Sequence, residues 1–392
     1  MNLSHLVVGV VREIMPGERR VAATPETVKR MTAAGARVLI EARAGEGSFF
    51  ADGDYAAEGA EICPDAAAVF RDAGVILKVK EPRFDDRTGD HEADRLRPDQ
   101  NLVCFLHPGA PGNRDVVKRL AESGATTLTL DGIPRISRAQ SMDALTSMST
   151  VAGYKGLLMA ADLLPKFIPM AGTAAGVIPP STVLVIGAGV AGLQAMALAK
   201  RMGANVVATD IRADALEQAR SLGAETVELG IPADVSEGPG GYAQALPPEW
   251  LHRERDALAA PLAAADIVIL SALVPGRAAP ILVTDDAVAL MRPGSVLVDI
   301  AVDQGGNCEA TDYGEATVRH GVHVLGIANI PGQVPGTATW LFARNILAFL
   351  NFLAPEGRID VDRDDEILAS TLVTRDGRIV HAGALESKEA KS

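Results

Sequence analysis

The chain has 392 residues, with 37 basic against 50 acidic side chains for a formal charge of −13, 48% hydrophobic residues and 4% aromatics. That length suits two domains, each able to bury its own core, and such a composition excludes disorder over most of the chain. The acidic surplus, without any run of five Lys or Arg, gives nucleic acid and anionic membrane surfaces no electrostatic support as partners.

In chain order, short apolar runs alternate with helical patterns, as in α/β domains built on parallel sheets. Leu6 to Val11 is the first predicted strand. Thr24 then caps a helix with Pro25 at its first position and Gly35 at its end, and Val38 to Glu41 follows as a strand. Val75 to Val79, Leu102 to Leu106 and Thr126 to Leu130 continue a first block that closes near residue 135. Ser137 to about Leu164 reads as a long connecting helix. The second block comprises Thr182 to Ile186, the helix Val190 to Met202, Asn205 to Thr209, Asp266 to Leu270, Ser295 to Ile300 and Val322 to Gly326. Gly230 to Pro248, rich in Gly and Pro, is a loop. A second long helix, Thr337 to Leu353, leads to a tail whose Thr371 to Val380 segment carries an Asp376-Gly377 hairpin signal. The tail is expected to rejoin the first block. The domains are thus 1–136 with 340–392, and 137–339.

Phe167 to Ala199 contains no charged residue, yet Pro169, Pro179 and Pro180 and its glycines break it, so no membrane span is expected. Cys63, Cys104 and Cys308 form no CxxC pair, which fits neither a disulfide framework nor a metal site and suits a reducing compartment. Met1 to Val11 lacks the features of a signal peptide, and the cytoplasm is the expected location.

Gly187-Ala188-Gly189-Val190-Ala191-Gly192 fits GxGxxG, and its context is specific. It directly follows an apolar strand and opens a helix, so backbone N–H groups and the positive helix end would face a diphosphate. Asp210 closes the next strand, where an acid would meet the adenosine ribose 2′-hydroxyl and repel the extra phosphate of NADP; Ile211 and Arg212 follow it. These features predict NAD as cofactor, hydride transfer as the chemistry and a Rossmann-like fold. Ligands of open α/β sheets sit beyond the strands' carboxyl ends, which adds the segment around Ala272 and Leu273 and the run Asp303 to Asn307, whereas Asp299, inside its strand, is expected to be structural. In the first block, Arg19 and Arg20, Lys78 and Lys80, and His107 also follow strands. Cations there could hold a carboxylate, and a histidine beside them could move a proton.

At these residues the chain resembles the superfamily shared by alanine dehydrogenases and the NAD-binding alpha subunit (domain I) of proton-translocating nicotinamide nucleotide transhydrogenase. Pro134-Arg135-Ile136-Ser137-Arg138-Ala139-Gln140-Ser141-Met142-Asp143, Gly189-Val190-Ala191-Gly192-Leu193-Gln194-Ala195, Gly240-Gly241-Tyr242-Ala243 and Val373-Thr374-Arg375-Asp376-Gly377 carry the transhydrogenase likeness. It implies two Rossmann-like domains joined by long helices, NAD(H) binding and a homodimer. Membrane-embedded partner subunits, one of them binding NADP, would translocate protons, with this chain peripheral to the inner membrane. Arg135, Gln140 and Asp143 are implied at the nicotinamide end, with Gly241 and Tyr242 on a loop that closes over the nucleotide. Arg20, Lys80, His107 and Asp303 match instead the alanine dehydrogenase pattern, in which Arg and Lys bind a carboxylate, His is the acid/base and Asp supports the site. Asn329 also leans that way. An alanine dehydrogenase-like enzyme is therefore the alternative, and a non-catalytic NAD-binding module a third reading.

Overall fold

Thr24 opens the helix Pro25–Ala33 with a reciprocal cap: Thr27 N–H donates to Thr24 Oγ1 at 3.2 Å, and Thr24 N–H to Thr27 Oγ1 at 2.9 Å. This connection brings the strand Arg37–Glu41 back parallel to Val7–Val10, Val8 facing Val38. The structure, a computed structural model, describes residues 2–238, 243–274 and 278–389. Gly241 and Tyr242 lie outside the described residues. The chain divides into two units, Met1–Met148 with Pro331–Ser392, and Ser149–Ile330.

The sheet of the first unit runs, edge to edge, Arg378–Ile379, Leu372–Arg375, Thr126–Thr129, Asn101–Cys104, Val75–Leu77, Val7–Val10, Arg37–Glu41 and Glu61–Cys63. Its last six strands are parallel, and the tail hairpin adds antiparallel on Thr126–Thr129, with Thr127 and Thr374 hydroxyls 2.8 Å apart. Asp376 (φ 49°) and Gly377 (φ 74°) make the hairpin turn, as an Asp-Gly pair with two positive φ values should. The helices Ala66–Asp72 and Arg114–Glu122 cover one sheet face, burying Val69, Phe70, Val117 and Leu120.

The second unit's sheet orders as Glu225–Thr226, Asn205–Thr209, Thr182–Ile186, Ile267–Leu270, Val296–Asp299, Val322–Leu325 and Ala316–Arg319. All are parallel except the last. Numbered along the chain, the six parallel strands lie 3-2-1-4-5-6, the doubly wound order whose connections reverse beside Thr182–Ile186. Those central strands are apolar and buried on both faces, as a sheet covered by helices requires. A separate hairpin, Ala171–Thr173 with Gly176–Ile178, precedes them.

The segment expected as one helix from Ser137 is two elements. A 3₁₀ stretch, Ser137–Met142, ends at Asp143, and the α-helix runs Ala144–Leu163. The break has a local cause. Asp143 Oδ1 accepts the Thr146 N–H at 2.8 Å and Oδ2 its hydroxyl at 2.6 Å, so Asp143 caps the helix that begins after it. Among its described residues the Gly230 to Pro248 loop holds one short helix, Ala233–Ser236, and the helix Pro248–Ala264 follows. Among the described residues, no helix is long and apolar enough to cross a membrane.

Candidate functional site

In the second unit, Gly187 sits at φ +95°, where a Cβ would lie 2.8 Å from Ala272 N. A Cβ on Gly192 would lie 2.0 Å from Gly187 O, so the helix Val190–Arg201 packs directly on the turn before it. Gly189, the residue capping that helix, differs. A Cβ there would meet nothing within 4 Å, so the turn is tight beneath and open above, the shape a diphosphate needs to approach backbone N–H groups. Val190 and Ala191 begin the helix at that opening.

Asp210 directly follows the neighbouring strand Asn205–Thr209, with its carboxylate buried. Its Oδ2 accepts the Ala188 N–H at 2.8 Å, which fastens it to the glycine turn. Arg212 closes on both oxygens, Nε 3.0 Å from Oδ1 and one terminal nitrogen 2.9 Å from Oδ2, while Ile211 lies between them in sequence, half-buried. A carboxylate already forked by a guanidinium presents less bare negative charge than the sequence implies. The turn and this acid together fit the adenosine and diphosphate of a dinucleotide.

The neighbouring strands carry the rest. Ser271 Oγ donates to Gly187 O at 2.8 Å, setting Ala272 and half-exposed Leu273 beside the turn. Asp299 is fully buried and accepts N–H groups from Ala301, Asn307 and Cys308 at 3.1, 2.7 and 3.1 Å; burial raises its pKa, and these donors oppose the rise. Asp303 Oδ2 accepts the Asn329 N–H at 3.1 Å, and Asn329 holds φ +52°. Sequence reasoning missed Glu254, on the helix Pro248–Ala264. It is 5% exposed, and burial first, the Asp210 charge second, push its carboxyl up to about 7.

In the first unit, Arg20, Lys78, Lys80 and His107 all follow parallel strands and share the sheet's carboxyl edge. Their commitments differ. Arg20 forks Glu18, Nε to Oε1 at 2.8 Å and a terminal nitrogen to Oε2 at 2.5 Å, both side chains buried. Lys78 is wholly buried between Glu92 at 2.9 Å and Glu13 at 3.4 Å. Half-exposed Lys80 lies close enough to Glu18 and His107 to act on both charges. His107 Nδ1 lies 2.7 Å from Asp131 Oδ1, and the His107 N–H donates to Oδ2 at 2.7 Å. Burial disfavours the charged ring, but Asp131 outweighs it and raises the histidine pKa; burial likewise opposes the charged Asp131, yet His107 holds that carboxyl at about 2. Asp131, the second residue sequence reasoning missed, sits against Nδ1 of the ring and leaves Nε2 on the ring's other side.

The Arg135 to Asp143 segment is also in the first unit, anchored at several points. Arg138 pairs with Asp365 at 2.8 Å and Glu366 at 3.0 Å, Asn345 Nδ2 donates to Ser141 O at 2.9 Å, and Ala139 and Met142 are buried. Arg135 and Gln140 are exposed. The structure brings together Arg20, Lys80, His107 and Asp131 along one sheet edge, and Gly187, Asp210, Ala272, Asp303 and Asn329 along the other unit's. Asp303 is thus in a different unit from the three residues it was grouped with.

Two family models match, alanine dehydrogenase/PNT, N-terminal domain, over residues 9–152, and alanine dehydrogenase/PNT, C-terminal domain, over residues 156–382. The chain is 42% identical over 384 residues to an NAD(P) transhydrogenase alpha-subunit chain of Rhodospirillum rubrum, covering 95% of this chain and 97% of that one. Among solved structures, a transhydrogenase from Sinorhizobium meliloti matches with a TM-score of 0.81 at 37% identity, covering 96% of this chain and 99% of that one. An L-alanine dehydrogenase matches at 0.80 and 31%, covering 99% and 100%.

Proposed function

The chain belongs to the alanine dehydrogenase/PNT family, and from that premise we propose that it is the NAD(H)-binding subunit of a nicotinamide nucleotide transhydrogenase. The likeness over nearly the whole chain to a transhydrogenase alpha subunit carries the reading. The open glycine turn, with Asp210 fastened to it through Ala188, supports NAD(H) as the nucleotide.

When bound, the dihydronicotinamide supplies a hydride, whose acceptor is NADP+ on a partner subunit. The chain's own work is binding and orientation. Backbone N–H groups of Gly189 to Ala191 would hold the diphosphate, and Asp210 would accept from the adenosine ribose. Exposed Arg135 and Gln140 stand on an anchored segment, able to grip the carboxamide of the ring through donor and acceptor. Asp143, also expected there, gives one lone pair of each oxygen to Thr146, which shapes the segment's end and leaves the others for the ring. Fixed geometry of this kind is where transfer between two bound nucleotides gains its rate. The chain would then sit against membrane-embedded subunits from the cytoplasmic side. Phe167, Met170 and Val177, all exposed around the Ala171–Ile178 hairpin, support a homodimer.

The test mixes the chain with membranes carrying the partner subunits. NADH-dependent reduction of an NADP+ analogue that requires both components is expected. No transfer, with NADH bound normally, would remove the reading. One observation favours the alternative of an alanine dehydrogenase-like enzyme: the Asp131-fixed His107 beside Lys80. NAD+ reduction by the isolated chain with a small amino acid would establish it.

A further inference from the structure

Asn307 follows Gly305-Gly306 and is fully buried. Each of its hydrogen-bonding groups is engaged. Its N–H donates to Asp299 Oδ2 at 2.7 Å, and its carbonyl accepts from Leu282 and Val283 N–H at 2.8 and 3.0 Å. In the side chain, Oδ1 accepts the Ala272 N–H at 3.0 Å, while Nδ2 donates to Ala272 O at 2.9 Å and Pro280 O at 2.8 Å. One amide therefore grips the Ala272 backbone in both directions, as a neighbouring strand would, and ties it to Pro280 beyond it in the chain.

A buried amide is costly unless fully paired, and an apolar residue would fill the same space more cheaply. What the amide adds is control of one backbone segment. That segment presses on the glycine turn, since a Cβ on Gly187 would meet Ala272 N at 2.8 Å and Ser271 holds Gly187 O. The strand order sets its side. Asp210 follows the strand on one flank of Thr182–Ile186, and Ala272 follows the strand on the other. With the adenosine at Asp210 and the diphosphate on the turn, the Ala272 flank faces the nicotinamide half.

We propose that Asn307 is a positioning residue of the nucleotide site, holding the Ala272 segment against the Gly187 turn so that it meets the nicotinamide half of the dinucleotide. This rests on the nucleotide-binding reading above. Asn307→Asp keeps the shape and the Oδ1 acceptor but loses both donors; Asn307→Ser replaces the amide with a smaller hydroxyl that cannot reach Ala272 and Pro280 together. Calorimetry on the full chain measures NADH and 5′-AMP, and amide exchange follows residues 271–283.

In a variant shown folded by circular dichroism, NADH Kd rises at least about tenfold. AMP Kd stays within about twofold, and exchange quickens at Ala272, Leu282 and Val283. Unchanged NADH affinity overturns the proposal, as does AMP affinity falling in step with NADH. If both variants unfold, Asn307 is a residue of overall stability and the positioning role is lost. Wild-type chain that fails to bind NADH would instead remove the nucleotide reading beneath it.

Discussion

Arg212 closes on both carboxylate oxygens of Asp210 while the Ala188 N–H holds the same carboxylate to the glycine turn. The acid that should exclude NADP is thus partly neutralised by its own neighbour. We expect NADH to bind at least about tenfold tighter than NADPH, a gap of roughly 1.4 kcal/mol. The two residues then pull in opposite directions. Arg212→Ala bares the carboxylate and widens the gap; Asp210→Ala frees a guanidinium beside the ribose and narrows it. Calorimetric titration of both nucleotides against both variants checks the pair, and equal affinities in the wild type would end the argument.

Lys78 offers a test of the first unit's interior. It is buried between Glu13 and Glu92, and burial pushes Glu13 up to about 7 even with the lysine beside it. Lys78→Met leaves two carboxyls facing each other in the core, which should cost about 3–5 kcal/mol at pH 8. At pH 5 Glu13 is protonated in the folded chain, so the loss should be smaller. Urea unfolding at both pH values gives the comparison; equal losses would mean that Glu13 does not change protonation between them.

Glu254 carries a second pH dependence, in the other unit. Its carboxyl titrates near 7 when folded against an ordinary 4.5. Between those values the folded chain keeps a proton that the unfolded chain has released, so stability falls as pH rises through the window, and the penalty is complete above 7. Glu254→Gln has no such penalty. The variant should match the wild type near pH 4.5 and exceed it by up to about 3 kcal/mol at pH 8. Thermal unfolding across that range reads the difference, and a constant offset would contradict it.

The glycine turn was legible because its demands are local. Gly187 needs a positive φ and a missing Cβ, Gly192 needs a missing Cβ, and both needs are written as letters between an apolar strand and a helix. Asp376-Gly377 was legible for the same reason. Strands of three or four residues at sheet edges, Glu61–Cys63 and Ala316–Arg319, carry no apolar run and form because a neighbour offers its backbone. Asp143 hid its role because one side chain, bonding three residues on, splits what periodicity reads as a single helix. Asp131 and Glu254 were invisible for a different reason. Their significance comes from what folding buries and brings beside them, His107 in one case and Asp210 in the other, and neither relation leaves a spacing in the sequence.

Gln140 and His107 separate the two enzyme readings. If hydride passes to a nucleotide on a partner subunit, an exposed amide on the anchored Arg135 to Asp143 segment orients the ring, and no oxo acid exists for Lys80 to hold or His107 to protonate. Gln140→Asn shortens that reach by one methylene. It should lower the transfer rate in the reconstituted complex by about tenfold or more with NADH affinity little changed, because misorientation acts on rate before affinity. His107→Ala and Lys80→Ala should then be mild. If the chain instead reduces an oxo acid, Asp131 keeps His107 ready as an acid, and His107→Ala should remove roughly 10²- to 10⁴-fold in rate. Lys80→Ala would raise the substrate KM by leaving a carboxylate half-paired. We expect the first pattern. Transfer unimpaired by Gln140→Asn, together with amino-acid-dependent NAD+ reduction abolished by His107→Ala, would reverse the assignment, since one pair of residues would then be idle and the other at work.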